Sequence, residues 1–139
     1  MDYYTPVSDD SMLRSLGEDI LKTTQNNQNE AVNLELISYI TDHTDMQDVI
    51  QVLNLAYSYN TLWDRHEKLE YFNLAETYYN MALEIGYNLP MPLLNLFTMY
   101  RKIGDVEKIK ETGDRISKNW PRAKEDIERT LNTLNSTST

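Results

Sequence analysis

The chain has 139 residues, of which 40% are hydrophobic and 25% charged, with no cysteine and a net charge of −9 at pH 7. That length supports one modest core in an ordinary soluble globular chain, and the missing cysteines exclude disulfides, thiolate metal sites and cysteine nucleophiles. No apolar run approaches the roughly 20 residues that span a bilayer, and Met1-Asp2-Tyr3-Tyr4 lacks the basic and then apolar parts of a signal peptide, so a cytoplasmic location is expected.

Residues 1–10 read as a flexible lead-in. Met12, Leu13, Leu16, Ile20 and Leu21 then recur at three- and four-residue spacing and predict a helix over 12–24. Gly17 weakens that helix by about 1 kcal/mol relative to alanine, so it must lean on tertiary packing. The polar run Gln25-Asn26-Asn27-Gln28-Asn29 is a connection, and Ala31, Leu34, Ile37 and Ile40 mark a second helix over 29–43. Asp45 is the expected N-cap of a third helix through Met46, Val49, Ile50, Leu53, Ala56 and Tyr57 to Trp63. The stretch Asp64-Arg65-His66-Glu67-Lys68 reads as its fraying or exposed last turn. A fourth helix carries Phe72, Ala75, Tyr79, Ala82 and Leu83 and stops at Gly86. Pro90 and Pro92 suit the first turn of a fifth, with Leu93, Leu96, Phe97 and Tyr100, ending at Gly104. Asp105 caps a sixth with Val106, Ile109 and Ile116, which ends by Trp120. Pro121 opens a seventh with Ile127, Leu131 and Leu134, before the polar tail at 136–139. Four glycines and four prolines are too few to punctuate a many-turned β fold.

The charge is uneven. Residues 1–45 carry nine acidic and two basic side chains, residues 46–89 six and two, and residues 90–139 seven and nine. An acidic front half argues against nucleic acid as a partner. It suits a basic partner segment, or head-to-tail pairing with a second copy, and it also serves solubility.

Superposing Ala56–Leu89 on Pro90–Ala123 reveals a self-match at a spacing of 34 residues: Leu62 on Leu96, Trp63 on Phe97, Leu69 on Ile103, Ala75 on Ile109, Ala82 on Ile116 and Tyr87 on Pro121. A helix-turn-helix period of that length resembles the tetratricopeptide (TPR) repeat family. Residues 93–105, with their Gly-Asp turn, are similar to that family's first helix, and Pro121 stands at its closing proline. Ala75 and Ala82, with Tyr79 between them, match its small-residue pair. Two departures stand out: Trp63 and Phe97 replace a small residue, and Glu70 stands where the first copy needs its turn glycine. Gly113 makes room for Phe97 in the second copy. The resemblance covers residues 56–123 and implies an all-α fold, a short right-handed α-solenoid of antiparallel helix hairpins. Its expected parts are N-terminal helices at 11–45, TPR-like hairpins at 46–89 and 90–121, and a capping helix at 122–135, together forming a single domain over 11–135.

Signals of chemistry are sparse. The chain has no phosphate loop, paired-histidine metal motif or nucleophile elbow. His43 lies among Asp42, Asp45 and Asp48, a grouping that capping at a helix end explains without a metal. His66 falls where the repeat family keeps a tyrosine, a structural position. Glu67 and Glu70 read as solvated surface. No enzymatic activity, cofactor or metal is expected. Ten tyrosines serve either as helix-seam filler or as a recognition surface.

The family resemblance implies a concave groove lined by the first helices of the hairpins: Tyr57, Asn60, Asp64 and Glu67, then Leu94, Asn95, Thr98 and Arg101. Asn60 and Asp64 occupy the places where chaperone-binding members clamp a C-terminal carboxylate with lysine and asparagine, so that ligand is not expected. The expected function is a protein-interaction module that binds a peptide or amphipathic helix of a protein partner, with basic segments favoured. A secretion-type chaperone and an acidic inhibitor that mimics nucleic acid are the alternatives. No nucleic-acid or membrane partner is expected, and the short array admits a homo-oligomer.

Overall fold

The computed structural model describes residues 9–137, with side chains described for 12–133. Among the described residues the chain is all-helical, with no strand. It divides into two compact units, Met1–Tyr87 and Asn88–Thr139. The division follows the charge: residues 1–87 hold 15 acidic and 4 basic side chains, residues 88–139 hold 7 and 9.

The first unit contains α1 (Asp9–Asn26), α2 (Glu30–His43), α3 (Val49–His66) and α4 (Leu69–Ile85). Helix α3 is central and packs against the other three. The inward row of α1 is Leu13, Gly17, Ile20 and Thr24, whereas Met12 and Leu16 of the expected stripe are exposed. Gly17 is the reason. A Cβ there would lie 3.3 Å from Asn54 Nδ2, so α1 meets α3 over its glycine and turns the neighbouring leucine outward. Asn54 Nδ2 in turn donates to the Arg14 carbonyl at 3.4 Å. Helix α2 is capped by the Asn29 side chain and turns Asn33, Ile37 and Ile40 inward; Ala31 is exposed.

The third helix begins later than its sequence suggests. Asp48, not Asp45, is the N-cap: its Oδ1 accepts from the amides of Ile50 (3.0 Å) and Gln51 (3.4 Å), while Asp45 Oδ1 accepts from the Gln47 amide in the preceding turn. The choice is made by tertiary structure. Asp48 Oδ2 also receives Arg14 Nε at 2.7 Å and Gln51 Nε2 at 3.0 Å, so one buried carboxylate caps α3 and ties it to α1.

Ala75 and Ala82 are fully buried and let α4 lie close against α3. Aromatic pairs close the antiparallel seam in register: Tyr57 with Tyr79 edge-on at 5.8 Å, Tyr59 stacked on Tyr78 at 5.8 Å, and Trp63 with Phe72 edge-on at 5.4 Å. Such pairs add about 0.5–1.5 kcal/mol each beyond the area they bury. Most of the tyrosines near α3 and α4 are therefore seam.

The second unit contains α5 (Met91–Ile103), α6 (Val106–Asn119), a 3-10 turn (Pro121–Ala123) and α7 (Lys124–Thr137). Helix α6 packs against both α5 and α7. Its core holds Leu93, Leu96, Phe97, Ile109, Ile116 and Ile127. Gly113 sits where they converge: a Cβ would fall 2.9 Å from Ile127 Cγ2 and 3.3 Å from Phe97 Cε2. The glycine thus accommodates Phe97, as its position suggests, and admits α7 even more closely. Helix α5 ends at Gly104 (φ 77°), and Asp105 Oδ1 caps α6 by accepting from the Lys108 amide at 3.1 Å.

The left-handed residue in the α3–α4 turn is Glu67 (φ 53°), not Glu70. Glu67 and Gly104 are 37 residues apart, three more than the repeat spacing. Helix α4 therefore starts nearly one turn earlier than α6 in the repeat frame. At the chain ends, α1 already begins at Asp9 and α7 runs to Thr137, inside the expected lead-in and tail. The remainder of both, residues 1–8 and 138–139, lies outside the described residues.

Candidate protein-interaction faces

On α3, positions 57, 60/61 and 64 lie one turn apart and form one side of the helix. Tyr57 is half-buried, its ring against Tyr79. Burial first, then the neighbouring Tyr87, pushes its hydroxyl above the usual tyrosine range. The next turn holds Asn60. Its Oδ1 accepts from the hydroxyl of fully buried Tyr79 at 2.7 Å, and its Nδ2 donates to Asp64 Oδ2 at 3.2 Å. A hydrogen-bonded row thus runs from the α3–α4 seam to an exposed carboxylate, and it fixes the amide and acid in place. Glu67, the last predicted residue on this helix, is exposed at the left-handed C-cap.

Leu94, Asn95, Thr98 and Arg101 lie on α5, in the second unit. Leu94 and Asn95 are half-buried and Thr98 and Arg101 exposed. Thr98 Oγ1 donates to the Leu94 carbonyl at 3.1 Å, and the Arg101 guanidinium lies 5.9 Å from the centroid of the Phe97 ring. Each set of four is therefore assembled on its own helix.

The stretch 64–68, read as a fraying end or an exposed last turn, is the last turn and cap of α3, with Asp64, Glu67 and Lys68 exposed, and it is heavily bonded. Arg65 reaches back to α1: Nη1 donates to the carbonyls of Thr24 and of Asn27 (2.7 Å), and Nη2 to that of Gln25. A guanidinium thus serves the orphan carbonyls at the α1 C-terminus, where a cation also suits the helix dipole. Glu30 Oε1 accepts from Lys68 Nζ and from the Tyr71 hydroxyl (2.6 Å), and Glu30 Oε2 lies 3.5 Å from His66 Nδ1. The Lys68 and Tyr71 bonds hold the Glu30 carboxyl below its usual range, against a smaller opposing effect of desolvation. Burial first and the Glu30 bond second push the Tyr71 hydroxyl far above its own. His66 is half-buried, packed edge-on to Tyr71 at 6.4 Å. These bonds span 38 to 41 residues of sequence, which is why no local pattern announces them.

The His43 ring lies tilted by 31° against Tyr39 with centroids 4.4 Å apart, and its Nδ1 lies 2.8 Å from the Tyr39 carbonyl. The acids near it have other work, Asp48 with Arg14 and Asp45 in its turn. Among the described residues no cluster of histidine, cysteine, aspartate or glutamate could hold a metal ion, and no helix is long and apolar enough to cross a membrane. A crevice lined by Leu13, Gly17, Ile40, Thr44, Gln51, Asn54, Leu55 and Ser58 is too narrow to admit a water molecule.

No protein-family model matches the chain, and no curated protein or solved structure shows significant similarity to it.

Proposed function

We propose that this chain is a non-catalytic protein-interaction module built from two TPR-like hairpins, α3–α4 and α5–α6, and that the α3 face grips a basic segment of a protein partner. The single observation that carries the proposal is the row Tyr79–Asn60–Asp64 beside Tyr57. Tyr79 positions the Asn60 amide, Asn60 holds Asp64, and Tyr57 offers ring surface next to them. A preorganised amide can bond an extended backbone, the carboxylate can take a lysine or arginine, and the ring supplies contact area at low entropic cost. The net charge of the first unit favours the same ligand and speeds its encounter.

The repeat reading is supported by equivalent burial at the 34-residue spacing. Leu62 and Leu96, Ala75 and Ile109, and Ala82 and Ile116 are all at most 1% exposed; Trp63 and Phe97 are 6% and 5%; and Leu69 and Ile103 are both exposed. The α5 face is proposed to contact a separate stretch of the partner through Leu94, Asn95, Thr98 and Arg101. A peptide array that varies charge and aromatic content tests the α3 face. Basic peptides are expected to bind and to lose about tenfold in affinity with Asp64→Lys, as a desolvated charge pair gives way to repulsion. Equal binding of acidic and basic peptides, or no effect of Asp64→Lys, would overturn the assignment.

A further inference from the structure

Helix α2 turns Asn33, Ile37 and Ile40 inward, and the side chains on its opposite side are exposed. That side carries Val32 (43% exposed) and Tyr39 (55%) seven residues apart, with Glu35 and Asp42 exposed between and beyond them. Positions 32, 35, 39 and 42 follow the three-and-four spacing of a single helix stripe, so two apolar side chains alternate with two acids. A stripe of that kind offers apolar contact area flanked by acid, and its charge favours a basic counterpart.

The matching surface is on the same chain. At the α5–α6 turn, Ile103 (41% exposed) and Val106 (44%) flank Gly104 and Asp105, with exposed Arg101 and Lys102 before them and exposed Lys110 one turn further along α6. Glu107 is also exposed there, while the Asp105 carboxylate is engaged in capping α6. Two apolar side chains with basic neighbours therefore complement two apolar side chains with acidic neighbours, within the larger contrast between an acidic first unit and a slightly basic second one.

We propose that the outer face of α2 docks the α5–α6 turn of a second copy of this chain, head to tail. The contact is heterologous, so it builds a ring if the rotation closes and an open chain if it does not. It uses neither Tyr57, Asn60 nor Asp64, and it stands independently of the proposal for the α3 face; Arg101 alone is shared with the proposed α5 face, and neither charge-reversed chain below alters it.

Sedimentation velocity and light scattering on the full chain test it. The expected result is a mass that rises with concentration above the 16.3 kDa of the monomer. It should fall back when salt is raised from about 0.1 M to about 1 M, as the screening length shrinks from about 10 Å to about 3 Å. Two charge-reversed chains sharpen the test: Glu35→Lys/Asp42→Lys and Lys102→Glu/Lys110→Glu, each checked for native helicity. Either alone places like charges face to face and should stay monomeric, whereas mixing the two restores both complementary contacts and should restore assembly. A monomer at every concentration would overturn the proposal. So would assembly that responds to the α2 reversal but not to the turn reversal, which would mean that α2 pairs with itself. Wild-type behaviour of both reversed chains would do the same.

Discussion

Asp48 serves two ends at once, capping α3 through Oδ1 and receiving Arg14 and Gln51 through Oδ2. Replacing it with alanine removes a cap worth about 1 kcal/mol and strands charge-assisted bonds worth about 1.5–3 kcal/mol. We expect a loss of about 2.5–4 kcal/mol in urea unfolding. Burial raises the Asp48 carboxyl, but the bonds from Arg14, Gln51 and the Ile50 amide outweigh it and hold it below its ordinary 3.8. A carboxylate depressed in the folded state lends stability that is complete above its unfolded value and lost as pH falls through the folded one. The wild type should thus weaken below about pH 4, and Asp48→Asn, which keeps a capping oxygen, should flatten that acid limb in pH-dependent unfolding. Glu67 makes the opposite case. A non-glycine residue in the left-handed region costs about 1 kcal/mol, so Glu67→Gly should stabilise the chain by roughly 0.5–1 kcal/mol in the same assay. An unchanged or lowered stability would mean that the Glu67 side chain contributes more than its backbone costs.

At the scale of elements, Gly113 is the clearest point of tight packing. Gly113→Ala would gain about 1 kcal/mol of helix propensity but place a methyl 2.9 Å from Ile127 Cγ2. Overpacking of that kind costs about 1–3 kcal/mol, so a net loss of up to about 2 kcal/mol is expected in thermal or urea unfolding; a stabilised variant would show that α7 can give way. The helices and their order were legible because stripes, Gly86, Gly104, Asp105 and Pro121 are local signals. What the sequence could not announce depended on partners far along the chain. The start of α3 went to Asp48 because Arg14 selects it, 34 residues away. The exposure of Leu16 followed from α1 meeting α3 over Gly17, a contact that no periodicity on α1 alone reveals. Arg65 looked like a loose end because its acceptors are backbone carbonyls of another helix, and carbonyls leave no mark in a sequence.

For the whole molecule, the candidate site was half legible. The family resemblance pointed to Tyr57, Asn60 and Asp64, which share one side of α3, but nothing in it revealed that Tyr79 would anchor Asn60 from within the seam. That buried hydroxyl holds Asn60, and through it Asp64, beside the Tyr57 ring, and it is the reason to look for a partner there. The most direct measurement is affinity capture of the tagged chain from its native cell extract, quantified by mass spectrometry, beside a Tyr57→Ala/Asp64→Lys variant of unchanged helicity. The account predicts a dominant protein partner with a basic segment, retained by the wild type and reduced at least about tenfold with the variant. Equal retention by both chains, or recovery of nothing beyond the bait, would contradict it.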